Sequence, residues 1–275
     1  MTDIIDAHVH VWTQDTAAYP RAPGAAPWNP PHFPPEALFE NTRPNGIKRI
    51  VLIQPGAYRF DNSYMLDAIR NHPAVFSGVA IIDHTAPDAE AEMVRLRERG
   101  VRGFRITPGK DPDGWLDTPG MIRMWAAGHR HGQAMCPLMG PNAIPSVHRA
   151  AARAPETRVV IDHLARIGGS GRIDPAEVQA LCALARHPNV YVKVSAFYAL
   201  GRKQPPYLDL VPLIRQVYDA FGPRRLMWAS DGPFQAQPPH SFAASLAVIE
   251  RHCPFLTAED KEWLLRKTAE SVFFI

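Results

Sequence analysis

Short apolar runs rich in β-branched residues recur along the chain, and most are followed by a stretch whose apolar positions fall three and four apart. Period-two runs bounded by turn residues read as strands, and the wider spacing reads as amphipathic helix. The pattern predicts eight strands: 4–12, 49–55, 75–82, 101–106, 133–139, 158–165, 190–197 and 225–231. Their spacing of about 25 to 35 residues suits a strand, a helix and a return, which makes the strands parallel with right-handed crossovers. Eight such units predict an α/β fold, a distorted (β/α)8 TIM barrel, more than an open sheet.

Start signals mark several helices. Asp174-Pro175-Ala176-Glu177 offers an N-cap acceptor, a proline at the first position and an acid three residues after the cap. Asp61 or Asn62 can cap the segment 64–70, and a last helix is expected over about 257–270. One connection breaks the rhythm: between Trp12 and Arg49 lie Pro20, Pro23, Pro27, Pro30, Pro31, Pro34 and Pro35. A stiff loop of this length is either a functional cover or a surface excursion, and 13–35 is expected to cover one barrel mouth. No second domain is indicated, so 1–275 is read as one domain.

Composition narrows the partners. The chain has 275 residues, 46% hydrophobic and 21% charged, with a formal charge of +3. Its basic residues are scattered, so nucleic acid is not expected. No apolar run reaches the ~20 residues of a membrane span, and the N-terminus lacks a signal-peptide pattern, so a cytoplasmic protein with no membrane partner is expected. The three cysteines, Cys136, Cys182 and Cys253, are odd in number and widely spaced, and read as reduced thiols. Oligomeric state stays open, a homo-oligomer included.

Barrel enzymes place reacting groups at the C-terminal strand ends. Here those ends are polar: His8 and His10 on the first, Gln54 with Tyr58 beyond it on the second, Asp83-His84 on the third, and Arg105 on the fourth. Asn142 follows the fifth, Asp162-His163 ends the sixth, Lys193 and Ser195 lie on the seventh, and Asp231 ends the eighth. Residues two apart on a strand share a face, so His8 and His10 should converge inside the barrel while Ala7, Val9 and Val11 point outward. Two buried imidazoles need a metal, a carboxylate or a substrate as partner, because an unpaired buried polar group costs about 1–3 kcal/mol. His129 and His131 repeat the spacing on a predicted helix, where they diverge by about 200° and receive no role.

The motifs IDAHVHVW, VLIQPGAYRFDN, VRGFRI, VVIDHLARI, VYVKVSAFY and MWASDGPFQ, in this order, resemble the amidohydrolase superfamily. The likeness is to the amidohydrolase-related branch (amidohydrolase 2) that holds 2-pyrone-4,6-dicarboxylate lactonase and sugar lactonases such as fuconolactonase and rhamnonolactonase. It implies a distorted TIM barrel and hydrolysis of a carboxylic ester, most often a lactone. By position, His8 and His10 match the strand-one histidine pair, His163 the strand-six histidine and Asp231 the strand-eight aspartate. Arg105 stands where metal-bridged members carry a carboxylated lysine or glutamate, and the fifth strand lacks the histidine of many single-zinc members. The expected cofactor is therefore none, or a single divalent metal such as zinc on His8, His10 and Asp231 with His163 as a further ligand. The resemblance to lactonases understood to work without metal, and the Arg105 charge, tilt this toward metal-free.

The reading is a lactonase for a small anionic or sugar-derived substrate. Asp231 takes a proton from water, His8, His10 and His163 polarise the carbonyl, and a histidine protonates the leaving alkoxide. Arg105 and Lys193 bind an anionic substituent, with Gln54, Tyr58, Asn142, Ser195, Tyr198 and Tyr207 as further substrate contacts. Lys193 equally reads as an interior lysine paired with Asp162, and 200–208 as a loop shaping the pocket. Two alternatives stand beside this: a metal-dependent decarboxylase or hydratase of an aromatic or unsaturated acid, and a non-catalytic barrel that binds a small anion.

Overall fold

A computed structural model describes residues 3–275. Eight parallel strands lie side by side in chain order. They are β1 (Ile4–Val9), β2 (Ile47–Ile53), β3 (Phe76–Ala80), β4 (Val101–Ile106), β5 (Ala134–Pro137), β6 (Val159–Ile161), β7 (Val190–Val194) and β8 (Leu226–Trp228). The last returns to the first through a single bridge, Val9 to Gly232, with the Asp231 amide donating to the His8 carbonyl at 2.9 Å and the His10 amide to the Gly232 carbonyl at 2.8 Å. The cylinder is thus closed by hydrogen bonds at the mouth that holds the polar strand ends. This is the predicted (β/α)8 barrel in its distorted form.

Two of the expected helix starts are built as the chemistry requires. Asp174 Oδ1 accepts the Ala176 amide at 2.8 Å, and Asp61 Oδ1 accepts the Ser63 amide at 3.0 Å. Thr257 and Asp260 form a reciprocal capping box at the start of the C-terminal helical region. That region ends in a short helix, α1 (Thr268–Phe273), whose Ala269, Val272 and Phe273 join an interior apolar cluster with Ile5, Ala7, Val51, Ile53, Val79, Cys136, Val160 and Met227. This helix plugs one end of the barrel interior with hydrocarbon and leaves the other end to polar side chains. The three cysteines are free thiols; Cys136 and Cys253 are buried, while Cys182 is half-buried.

The strands that carry the candidate chemistry stop earlier than the apolar pattern predicts. β1 ends at Val9, β6 at Ile161 and β8 at Trp228. Beyond β6 and β8 the backbone turns: His163 and Asp231 sit at φ 52° and 66°, a left-handed conformation that cannot continue a ladder. His163, Leu164, Ala165 and Arg166 are all left-handed, four non-glycine residues in a row. The β1 alternation also departs from expectation. Ala7 belongs to the interior cluster with Ile5, yet the ring of its neighbour His8 also meets interior residues. A shift of register against β2 between Asp6 and Val9 lets both face inward. Asp6 Oδ1 sits behind the shift, accepting the His8 amide at 3.2 Å and the Ser230 amide at 2.9 Å.

The long first connection returns to β1 through an antiparallel bridge between Trp12 and Phe33. The Trp12 indole donates to the Pro30 carbonyl at 2.8 Å and stacks on Trp28, with centroids 5.0 Å apart.

Candidate active site

Above the apolar plug lies a layer of buried ions. Asp162 and Lys193 are fully buried, and the Lys193 ammonium approaches Asp162 Oδ1 at 3.0 Å. Beneath it lies the Phe273 ring, 5.5 Å from the ammonium. Asp162 Oδ1 is also 3.2 Å from His8 Nδ1, and its Oδ2 is 3.9 Å from Arg105 Nε. With Asp231 above, two cations face two carboxylates, the near-neutral grouping that makes burial of charge tolerable.

The next layer is organised by what each imidazole does with its outer nitrogen. His10 Nδ1 donates to the Ile53 carbonyl at 2.8 Å. His163 Nδ1 lies 2.8 Å from the Ser195 hydroxyl, whose proton goes to the Lys193 carbonyl, so the histidine is the donor there. His8 Nδ1 lies 3.2 Å from both Asp162 Oδ1 and the Lys193 ammonium, and the Arg105 guanidinium donates to His8 Nε2 at 3.3 Å. The carbonyl at His10, the hydroxyl at His163 and the guanidinium donor at His8 Nε2 place the hydrogen on Nδ1 in each ring, and all three Nε2 atoms turn inward. They meet Asp231: His8 and His10 Nε2 are 3.5 and 3.3 Å from Oδ1, and His163 Nε2 is 3.7 Å from Oδ2. The Tyr198 hydroxyl donates to Oδ2 at 2.7 Å, while Oδ1 is buried without a donor.

Lone pairs facing a carboxylate call for positive charge between them, either a proton on an imidazole or a metal ion. Among the described residues, His8, His163 and Asp231 offer ligand atoms that all lie within 4.8 Å of one another. This donor set fits one divalent cation, three nitrogen and oxygen ligands being the usual protein share of a catalytic zinc site. Arg105 competes for the His8 nitrogen.

Burial is the largest influence on all of these groups. It pushes His8 well below the usual histidine range, helped by the Lys193 charge, and lowers His163 as well, so both are neutral imidazoles at pH 7. Burial alone would raise the Asp231 carboxyl, but its interactions with the neighbouring His163 and His10 rings outweigh this and hold the group well below the ordinary carboxylate range. Burial, then the Asp231 charge, raises Tyr198, which keeps its proton and remains a donor. Asp6 is pushed up to about 7 by burial, against the bonds it accepts from Ser230 and His8.

A cavity of about 560 Å³ opens over this layer, and His10, Arg105, His163, Tyr198 and Asp231 are on its wall. Those five predicted residues are brought together, with His8 directly beneath. Several expected substrate contacts are corrected. Lys193 is the interior lysine paired with Asp162 and does not line the cavity. Gln54 is buried and ties down the loop after β2 by donating to the Asp61 carbonyl at 2.5 Å. Tyr58 faces Trp28, with centroids 4.9 Å apart, and accepts the Thr13 amide. Ser195 orients His163, and Asn142 is exposed in the turn after β5, off the cavity wall. Tyr207 acts one step back: its hydroxyl accepts from Gln235, whose side-chain oxygen in turn lies 3.4 Å from the Tyr198 amide. The 200–208 loop does reach the wall, through Leu200 and Lys203.

The wall also holds residues that strand-end reasoning passed over: Trp12, Trp28, Arg166 and Phe234. Trp12 closes the motif HVHVW, and Arg166 follows His163 by three positions, so both were within reach of a reading that continued past the strand ends.

Sequence and structure comparisons fit this geometry. Residues 5–275 match the amidohydrolase family. The chain belongs to that family. L-fucono-1,5-lactonase from Burkholderia ambifaria is 32% identical over 258 residues, which covers 92% of this chain and 89% of that protein. A 2-pyrone-4,6-dicarboxylate hydrolase from Comamonas testosteroni is 27% identical over 238 residues, covering 83% and 76% of the two chains. The crystal structure of an amidohydrolase from Burkholderia multivorans with bound zinc has a TM-score of 0.85 at 23% identity, covering 99% of each chain. That likeness speaks for the fold. Among the described residues of this amidohydrolase, no helix is long and apolar enough to cross a membrane.

Proposed function

We propose that this amidohydrolase opens the ring of a small lactone, with Asp231 as the base that takes a proton from the attacking water. The observation that carries this reading is the placement of Asp231 at the cavity floor, anchored through Oδ2 by Tyr198 and ringed by three inward-facing Nε2 atoms. Supporting it are two relatives named for a lactonase and for a pyrone-dicarboxylate hydrolase activity.

Ester hydrolysis needs a nucleophilic water and relief for the tetrahedral oxyanion. Oδ2 accepts one bond from Tyr198 and has a second acceptor position for water, and its low basicity leaves it ionised through the neutral range. The water oxygen bonds to the acyl carbon as its proton passes to Asp231. The ring C–O bond then breaks, and Asp231 returns that proton to the departing alkoxide, giving a hydroxy acid. The Arg105 guanidinium, fixed against His8 and Asp162, stabilises the developing oxyanion. Tyr198 holds the carboxylate in line. The loop 13–35 contributes Trp28 to the cavity wall.

The inward lone pairs favour one divalent cation held by His8, His163 and Asp231, a shift from the metal-free tilt of the sequence. When bound, such an ion supplies Lewis-acid polarisation of the ester carbonyl.

A pH-indicator screen over sugar lactones and lactone acids, run on chelated enzyme with and without added zinc, tests the proposal. Acid release from at least one lactone is expected. Release of carbon dioxide from an unsaturated acid, with no lactone opened, would overturn it.

A further inference from the structure

Four residues after Asp231, the side chain of Gln235 joins the loops that follow β7 and β8. It is fully buried in the short turn Phe234–Ala236. Its Oε1 accepts the Tyr198 amide at 3.4 Å, and its Nε2 donates to the Tyr207 hydroxyl at 2.8 Å and to the Ser241 carbonyl at 3.1 Å. A backbone N–H only donates and a carbonyl only accepts, so Tyr198 and Ser241 fix which end of the amide is which. Both Nε2 hydrogens are then in use, one of them on Tyr207.

The Tyr207 hydroxyl accepts from Gln235 and has one hydrogen of its own to place, and His240 Nδ1 stands 2.9 Å away. That bond needs a lone pair on Nδ1, so His240 is the neutral ring with its hydrogen on Nε2. The half-buried imidazole lies nearly parallel to Tyr207 and tilted against Tyr198, with centroids 6.0 Å from each. These two tyrosines are the titratable groups that face it; burial lowers its basicity, and among the described residues it forms no ion pair. A proton on His240 would put a hydrogen on Nδ1 and reverse the bond to Tyr207. The phenol oxygen would then meet two hydrogens, from Gln235 and His240, and its own would have no acceptor in the chain.

We propose that Gln235, Tyr207 and His240 are positioning residues for the hydrolysis, holding Tyr198 against Asp231 while His240 is neutral and loosening that hold when His240 takes a proton. This rests on the reading of Asp231 as the base and deepens it. The link to the reaction is the Tyr198 hydroxyl, which donates to Asp231 Oδ2 at 2.7 Å from the same residue whose backbone Gln235 holds. None of the three lines the cavity, so their influence should fall on kcat more than on KM.

The test pairs side-chain NMR with kinetics. In enzyme labelled with ¹⁵N-histidine, His240, assigned by its absence from His240→Asn, should be the Nε2–H tautomer at neutral pH. Tyr207→Phe removes the hydrogen given to Nδ1 and should raise the His240 titration midpoint. On a lactone that the wild type opens, Tyr207→Phe should lower kcat about 2- to 10-fold, the effect of one hydrogen bond, with KM little changed. His240→Asn keeps an acceptor near the Nδ1 position without a titrating proton and should retain most of the neutral-pH rate, whereas His240→Leu should lose as much as Tyr207→Phe. The ratio of wild-type to His240→Asn kcat cancels the groups common to both, and it should fall about 2- to 10-fold as pH drops through the His240 midpoint. Thermal melts establish that each variant is folded. An Nδ1–H tautomer, a ratio flat across that midpoint, or a folded Tyr207→Phe with wild-type kcat overturns the chain. If the wild type opens no lactone, the lactonase reading fails and the positioning role fails with it, whichever tautomer His240 shows.

Discussion

The two halves of the barrel interior are built from the same strands and differ in almost everything else. Towards the plugged end, Ile5, Val51, Val79 and Met227 pack on Phe273 as hydrocarbon. Only a few residues further along, β7 supplies Lys193, β4 Arg105 and β1 His8, each with a polar or charged partner. The lower half follows the alternation of its strands. The upper half abandons it, with a register shift in β1 and left-handed backbone at His163–Arg166 and Asp231. Left-handed non-glycine residues cost about 1–2 kcal/mol each, so the mouth carries strain of several kcal/mol that the lower core must offset. Stability and chemistry are thus stacked along one axis, and substitutions should separate them.

The largest effect is expected at Asp231. Asp231→Asn keeps the shape and removes the base, so kcat on any lactone the enzyme opens should fall about 10²- to 10⁴-fold, with the melting temperature showing that the fold persists. In the lower half, Phe273→Ala should cost about 3–5 kcal/mol of stability in denaturant titration while leaving the pH profile of the folded enzyme in place. Lys193→Met sits at the boundary: it leaves Asp162 buried without its closest cation, so a loss of about 3–5 kcal/mol should come together with a drop in kcat, because Asp162 also orients His8. Equal kinetic damage from Phe273→Ala and Lys193→Met would erase the distinction between the halves.

A smaller, pH-dependent effect is expected at Asp6, behind the β1 shift. Its carboxyl is raised from 3.8 to about 7 in the folded protein. A raised carboxyl favours the protonated folded state, so its contribution is complete below about pH 4 and is lost as pH rises toward 7, by at most about 4 kcal/mol. Asp6→Asn should remove that slope. Wild type and variant showing parallel stability between pH 4 and 7 would mean that Asp6 titrates normally.

The same contrast explains what was legible in the sequence. The eight strands and their order follow from period and spacing, because lower-half residues obey the rules those periods express. His8, His10, Arg105, His163 and Asp231 were found because barrels gather strand ends at one mouth. Position at a strand end does not determine direction, however. Gln54, Tyr58, Ser195 and Lys193 turn to loops, neighbours or the interior, for reasons set by partners distant in the chain, such as Asp61, Thr13, His163 and Asp162. Consecutive inward placement of Ala7 and His8 required the bulge, which no alternation pattern reveals. Arg166 and Lys203 reach the cavity wall from two loops that a Gly201–Gly168 backbone bond ties together.

The role of Asp231 as a base acting on water, and not as a nucleophile, is the claim on which the account turns. It is tested most directly by a single turnover in ¹⁸O-water with enzyme in excess over a lactone that it opens, followed by mass spectrometry of the product and of the peptide containing Asp231. One ¹⁸O in the product carboxylate and none in Asp231 is the predicted result. Label in Asp231 with an unlabelled product would contradict it.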